Sequence, residues 1–162
     1  MFFMVLNFVL LRSKFRAGFR KIQKLLKGFT VEERRAIYLS RNPPQLDFSF
    51  VEYCFEDDSK ELKKVAIAIR ESIAQLGGVD RQFIRAESSF EELVILPFWK
   101  NIGDIGFYTE DFIEAIEREL GVEFTQEQLR KASVRDPDLN TDMAIAEFVR
   151  DFYDWYRLSK FV

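Results

Sequence analysis

Apolar residues recur at helical spacing along most of the chain and predict three principal helices. In the first, the pair Asp58 and Glu61 has capping-box spacing, and Gly77-Gly78 marks the end. The second starts after Thr109 and stops at Gly121, and the third starts at Thr141. Their predicted core faces are Leu62, Val65, Ile69, Ile73 and Leu76; then Phe112, Ile113, Ile116 and Leu120; then Ile145, Phe148, Val149, Phe152 and Trp155 or Tyr156.

Shorter elements lie between these helices. Three capping boxes predict a helix over VEERRAIYL, one turn around Phe90 and a short helix bearing Leu129; the boxes are Thr30 with Glu33, Ser89 with Glu92, and Thr125 with Gln128. The first of these helices ends before Asn42, because a residue that precedes proline is disfavoured in the α region. The stretch LDFSFVEYCF alternates as a strand would and also suits one helical turn, so we predict it to be mostly extended or irregular.

Residues 1–29 combine an apolar start with a basic amphipathic stretch. The start, MFFMVLNFVLL, is far shorter than the ~20 apolar residues that span a bilayer, and it lacks the features of a secretory signal. In the following residues, helical spacing places the apolar side chains on one face, and no acidic residue occurs. The apolar residues are Phe15, Phe19, Ile22, Leu25, Leu26 and Phe29, and the basic ones are Arg12, Lys14, Arg16, Arg20, Lys21, Lys24 and Lys27.

Three roles are open for this arm: lying on an anionic membrane surface, packing on an acidic partner such as a second copy, or covering the protein's own core. We place the boundary between the extension and the main domain at residues 41–45. The predicted domains are therefore a basic amphipathic helical extension over 1–45 and a helical domain over 46–162.

The composition restricts the chemistry. The 162 residues contain no histidine, which removes the commonest general base and metal ligand. The single cysteine, Cys54, has no histidine to activate it; we interpret it as a core residue of a protein in a reducing, cytoplasmic compartment. The net charge is −3, so the chain beyond the basic arm is clearly acidic, which argues against nucleic-acid binding.

Two acidic patterns in the sequence resemble functional sites. Carboxylates on the second principal helix are more typical of a solvated helix face than of an acid/base pair in a cleft. The run RDPDLNTD alternates like a calcium loop, but Thr141 replaces the required glycine. We interpret that run as an Asx-rich turn and predict no metal site and no catalytic residues.

From Asp58 onward, three stretches carry a family resemblance: VAIAIRESIAQLGGVDRQFIRAESSFEEL, TEDFIEAIERELGVEF and TDMAIAEFVRDFY. Their order resembles that of the acyl carrier protein family, with its first helix and loop, its second helix and its last helix. The resemblance does not cover residues 1–50. It implies an all-α fold, a four-helix acyl-carrier-like bundle that here follows an N-terminal helical extension.

The resemblance also exposes a difference. The family attaches phosphopantetheine to a serine in an Asp-Ser-Leu motif, and counting back from Gly121 places that serine at Gly106. Glycine has no hydroxyl, so we expect no prosthetic group, as in divergent non-carrier members among bacterial proteins. A displaced attachment at Thr109, Ser88 or Ser89 is the alternative. The preceding loop carries an insertion at residues 94–102 that includes Phe98 and Trp99.

These observations predict a non-catalytic binding or adaptor protein. In the resembled family, the acidic second helix docks basic partner surfaces, which here implicates Glu110, Glu114 and Glu117. Phe98 and Trp99 of the inserted loop are the other predicted contacts. The alternatives are an acyl carrier with a displaced attachment residue, and a peripheral membrane protein anchored by its N-terminal helix.

Overall fold

The computed structural model of the protein describes residues 28–57, 59–93, 95–96, 110–135, 137, 140 and 142–160. In these residues there are seven α-helices and no named strand, which confirms the all-α prediction for this part of the chain. A 3-10 turn spans Arg81–Phe83, and one isolated β-bridge joins Ser89 to Ala144. The helices are α1 (Val31–Arg41), α2 (Asp47–Cys54), α3 (Lys60–Gly77), α4 (Phe90–Leu93), α5 (Glu110–Leu120), α6 (Gln126–Arg130) and α7 (Ile145–Ser159).

The core lies between α3, α5 and α7, and it is built from the faces that the periodicity predicts. Every apolar position named above on α5 and α7 is buried, as are four of the five on α3; Leu76 is partly exposed. Aromatic side chains fill the space around α7. Phe148 contacts the rings of Phe90 and Phe112, and Phe152 and Trp155 contact Phe124. Such pairs contribute about 0.5–1.5 kcal/mol each beyond the area they bury.

Local capping explains several helix ends. Thr30 and Thr125 form the predicted capping boxes with Glu33 and Gln128. α3 ends with Gly78 at φ +64°, in the left-handed region that only glycine adopts without strain. These predicted boundaries are confirmed.

The prediction of an extended or irregular stretch after residue 45 is wrong, because Asp47–Cys54 is helical. Phe50, Val51 and Cys54 form one buried face of α2, which packs against α3 and α7. A helix brings these three side chains together, whereas a strand would divide them between two faces. Packing against the neighbouring helices therefore outweighs the local alternation.

Two predicted helix starts are also wrong. The cap of α3 is Ser59, whose hydroxyl accepts the N–H of Leu62 at 3.2 Å. α7 begins at Ile145, four residues after the predicted start at Thr141. The N–H groups of Ile145 and Ala146 donate to the carbonyls of Ser88 and Ala86, both at 2.9 Å. These distant carbonyls satisfy donors at the start of α7, so no side-chain cap is required.

Arg70 of α3 is fully buried and joins three parts of the chain. Its guanidinium donates to the Ile84 carbonyl (2.9 Å), the Asp47 carboxylate (2.7 Å) and the Gln45 carbonyl (2.7 Å). It also lies 4.5 Å from the centre of the Phe50 ring. Burial lowers the pKa of Arg70, and the Asp47 carboxylate opposes that shift. Arg70 therefore fixes α2 and the loop after α3 onto α3.

α1 is attached to the same core. Tyr38 is completely buried, and its hydroxyl donates to the carbonyl of Phe83 at 3.1 Å. Nearer the start of α1, Nε of Arg34 donates to the carbonyl of Ile95 at 2.9 Å. α1 thus lies beside the loop that follows α3, within reach of the residues that follow α4.

Candidate docking surface on α5

α5 separates apolar and acidic side chains onto two faces. Phe112, Ala115, Ile116 and Leu120 are buried, whereas Asp111 and Glu114 are exposed. The buried set recurs at intervals of three or four residues, which places it on one side of a helix. The exposed carboxylates consequently face away from the core.

The two predicted contact residues whose side chains are described, Glu114 and Glu117, differ in their surroundings. The side chain of Glu114 is exposed, and no hydrogen bond or ion pair joins its carboxylate to another residue in the described part of the chain. Glu117 is partly buried, and its carboxylate accepts the backbone N–H of Phe124 at 2.5 Å. Glu117 therefore also holds the turn that follows α5, while Glu114 keeps its full acceptor capacity for a partner.

An open depression of about 700 Å³ lies beside these carboxylates, lined by Glu114, Glu117, Arg118, Gly121, Val122 and Glu123. Three of the lining residues are acidic and one is basic. The guanidinium of Arg118 donates to the side-chain oxygen of Gln75 at 3.1 Å, and it forms no ion pair with Glu114, Glu117 or Glu123. The depression is therefore negatively charged, with the partly exposed Val122 as its apolar element.

Glu123 is a member of this surface that the sequence analysis did not identify. It follows the glycine that ends α5, so helical periodicity says nothing about its direction. The backbone N–H groups of Gly121 and Val122 both donate to the carbonyl of Glu117, at 2.8 and 3.0 Å. This turn brings Glu123 back beside the end of the helix.

The surface is carried by a well-anchored helix. The ammonium group of Lys64 on α3 donates to the Leu120 carbonyl at 2.7 Å, at the negative end of the α5 dipole. Gln75 of α3 also donates to the carboxylate of Glu119 at 2.9 Å. Polar contacts with α3 therefore fix α5 in addition to its buried apolar face.

Most of the other predicted site residues lie outside the described part of the chain. This applies to Phe98 and Trp99, to Gly106 at the expected attachment position, and to the seven basic residues of the arm, Arg12, Lys14, Arg16, Arg20, Lys21, Lys24 and Lys27. Glu110 is the first residue of α5, but its side chain is not among those that the structure describes. Of the predicted site residues whose side chains are described, Glu114 and Glu117 therefore lie together, and Glu123 lies beside them.

Cys54 is buried, and burial raises the pKa of its thiol to about 12, so it is protonated at neutral pH. Among the described residues, no group of three or more cysteine, aspartate or glutamate side chains is arranged to hold a metal ion. None of the helices in the described ranges combines the length and the apolar character needed to cross a bilayer.

No protein-family model, no curated protein and no solved structure matches this chain.

Proposed function

We propose that this protein is a non-catalytic adaptor that docks a protein partner with a basic surface through α5. The observation that carries the proposal is the pair of exposed carboxylates, Glu114 and Glu123, on the depression at the end of α5. No hydrogen bond or ion pair joins the carboxylate of either residue to another described residue, and the opposite face of the helix is buried. A partner that presents lysine or arginine side chains there would gain attraction without first breaking an existing ion pair.

The resemblance to acyl carrier proteins supports the same surface, because in that family the acidic second helix is where basic partners dock. In this proposal the chain keeps the four-helix carrier-like arrangement and its docking helix, and it carries no prosthetic group. Gly106, at the position of the attachment serine, supports the second half of that statement. The inserted loop with Phe98 and Trp99 would supply apolar contacts beside the acidic ones.

The docking half is tested by site-specific photocrosslinking in the native host. A photoreactive amino acid replaces Arg118, an exposed residue that lines the depression, so that the carboxylates of Glu114 and Glu123 are kept; in a control chain it replaces Asp154, whose exposed side chain lies on α7. We expect a defined adduct from position 118 that the control does not form. The added substitution Glu123→Lys should abolish the adduct, because it reverses the charge of a neighbouring carboxylate without touching the crosslinker.

Identical adducts from both positions, or an adduct that survives Glu123→Lys, would contradict docking through this surface. The intact mass of the protein purified from its native host tests the other half. We expect the mass of the bare chain. An added phosphopantetheine would instead establish an acyl carrier with a displaced attachment residue, and peptide mapping would then locate it.

A further inference from the structure

The clearest exposed apolar surface in the described part of the chain lies on α2. Leu46, Phe48 and Tyr53 are 77%, 63% and 54% exposed, although Phe50, Val51 and Cys54 of the same helix are buried. At 100° per residue, Phe48 and Tyr53 lie at the two edges of the exposed side of α2, with Ser49 and Glu52 between them, and Leu46 precedes the helix. We call Leu46, Phe48, Tyr53 and the intervening exposed residues the α2 surface.

Negative charge lies among these apolar side chains. Glu52 and Glu56 are exposed, and no side-chain hydrogen bond or ion pair joins either of them to another of the described residues. Asp47, by contrast, is already paired with Arg70 and Arg81. An occupant that fits the α2 surface therefore presents basic and apolar side chains together.

The chain itself contains such an occupant. Residues 12–27 carry seven basic side chains and no acidic one, with apolar residues at helical spacing. A segment that is tethered to its binding surface is present there at a high effective concentration. An independent partner would need a comparable concentration in solution to compete with it. We infer that residues 12–27 fold back along α1 as an amphipathic helix and that the first residues of this helix dock on the α2 surface of the same chain.

The connection to α1 permits this arrangement. Gly28 has φ +114°, a conformation that glycine readily adopts, and α1 starts two residues after Phe29. A helix over residues 12–27 would be about 24 Å long and α1 is about 16 Å long, at 1.5 Å per residue. Folded back along α1, the segment therefore reaches the short connection from Arg41 to Leu46, where the α2 surface begins.

The outer side of α1 suits a helix laid along it. Glu32 and Glu33 are exposed on its first turn, where they can face basic side chains, and the exposed Ala36 is small enough for close approach. Phe29 and Val31 are each almost half exposed at the near end of this path. The segment would thus cover apolar surface at both ends of α1.

Paramagnetic relaxation in the full-length protein tests the inference. A nitroxide spin label is attached through the substitution Ser13→Cys; the native Cys54 is buried and stays unlabelled. We expect loss of amide signal intensity for residues 46–57, which the label approaches in the docked state. In a mixture of isotope-labelled chains without the nitroxide and unlabelled chains with it, those signals should keep their intensity, because the contact is within one chain.

Matched variants test the surface itself. Leu46→Ser with Phe48→Ser should restore the signals of residues 49–57, and these exposed substitutions leave the core intact. Leu158→Ser, which alters an exposed leucine on α7, should change nothing. Unchanged broadening after the double substitution would overturn the α2 surface as the binding site.

Two further outcomes would overturn the inference. Signal loss in the mixed sample would show that the segment binds a second copy. No signal loss in the free protein, combined with disappearance of the segment's own signals when phosphatidylserine-containing vesicles are added, would show that its ligand is a membrane surface. Neither outcome bears on α5, so the adaptor proposal is judged separately.

Discussion

Replacing Arg70 by methionine should be among the most destabilising single substitutions in this protein. Arg70 is completely buried and donates four hydrogen bonds, to Ile84, Asp47, Gln45 and Gln82. Methionine fills a similar space with a flexible apolar chain but donates no hydrogen bond. The substitution therefore isolates the polar contribution of the guanidinium from the effect of an empty cavity.

The size of the effect follows from which acceptors are left without a donor. The Gln82 carbonyl still accepts the N–H of Gln45 at 2.8 Å, and the partly exposed Asp47 keeps Arg81 and water. The carbonyls of Ile84 and Gln45 lose a charged donor. At about 1.5–3 kcal/mol for each hydrogen bond to a charged group, the free energy of unfolding should fall by roughly 3–6 kcal/mol. The free energy of unfolding of a domain is typically roughly 5–15 kcal/mol, so this loss is a large part of it.

Urea unfolding followed by circular dichroism measures this change. The transition midpoint should fall strongly with little change in slope, because the folded structure stays the same. Arg70→Lys, which keeps the charge but not the fork of donors, should lie between wild type and Arg70→Met. Asp47→Asn is the matched control and should cost about 1 kcal/mol or less, because its amide oxygen still accepts from Arg70. A loss below about 1 kcal/mol for Arg70→Met would refute the argument, since a single neutral hydrogen bond contributes as much.

Three further predictions concern other sites. Gly78→Ala should lower the free energy of unfolding by about 1–2 kcal/mol, because its φ of +64° strains any residue with a Cβ; thermal or urea unfolding measures this. Glu117→Gln should weaken the turn that its carboxylate holds through the N–H of Phe124, at a cost of about 1 kcal/mol. The companion Glu114→Gln should change urea stability by less than about 0.5 kcal/mol. Burial raises the pKa of the Cys54 thiol from 9.0 to about 12, so the thiol of the unfolded chain ionises first as the pH rises. Its contribution to stability should therefore be complete below about pH 9.0 and be lost as the pH rises to about 12. Over that range, the stability of wild type should fall more steeply than that of Cys54→Ala.

Each of these predictions can fail. A neutral Gly78→Ala would mean that the end of α3 rearranges at no cost. Equal losses for the two glutamate variants would mean that the turn after α5 does not depend on its carboxylate. Parallel pH profiles for wild type and Cys54→Ala would show that the thiol ionises equally well in the folded protein.

The sequence predicted those helix boundaries and buried faces that depend on residues close together in the chain. Thr30, Thr125 and Gly78 end or begin helices through groups within a few residues, so their roles could be recognised from spacing. The buried faces of α5 and α7 were predicted because one apolar stripe recurs over several turns. The carrier-like arrangement of the helices stays a proposal.

The errors share a cause, which is that distant residues decide the local structure. α2 is helical because α3 and α7 accept its buried face. α7 starts late because carbonyls from the loop containing Ser88 accept hydrogen bonds from its first N–H groups. Glu123 lies on the candidate surface because of a turn after α5. Arg70 is a charged residue whose acceptors lie on two other segments, residues 45–47 and residues 82–84. Neither periodicity nor capping rules report such partners.

The late start of α7 has a consequence for biosynthesis. Its first turn depends on carbonyls that emerge from the ribosome almost sixty residues earlier, and its aromatic side chains contact residues from α4 and α5. Until α7 has been translated, Phe90 and Phe112 lack the ring that packs between them, and the earlier helices expose apolar faces. Folding should therefore be completed in one late step, and a nascent chain stalled before residue 145 should be a substrate for chaperones and proteases.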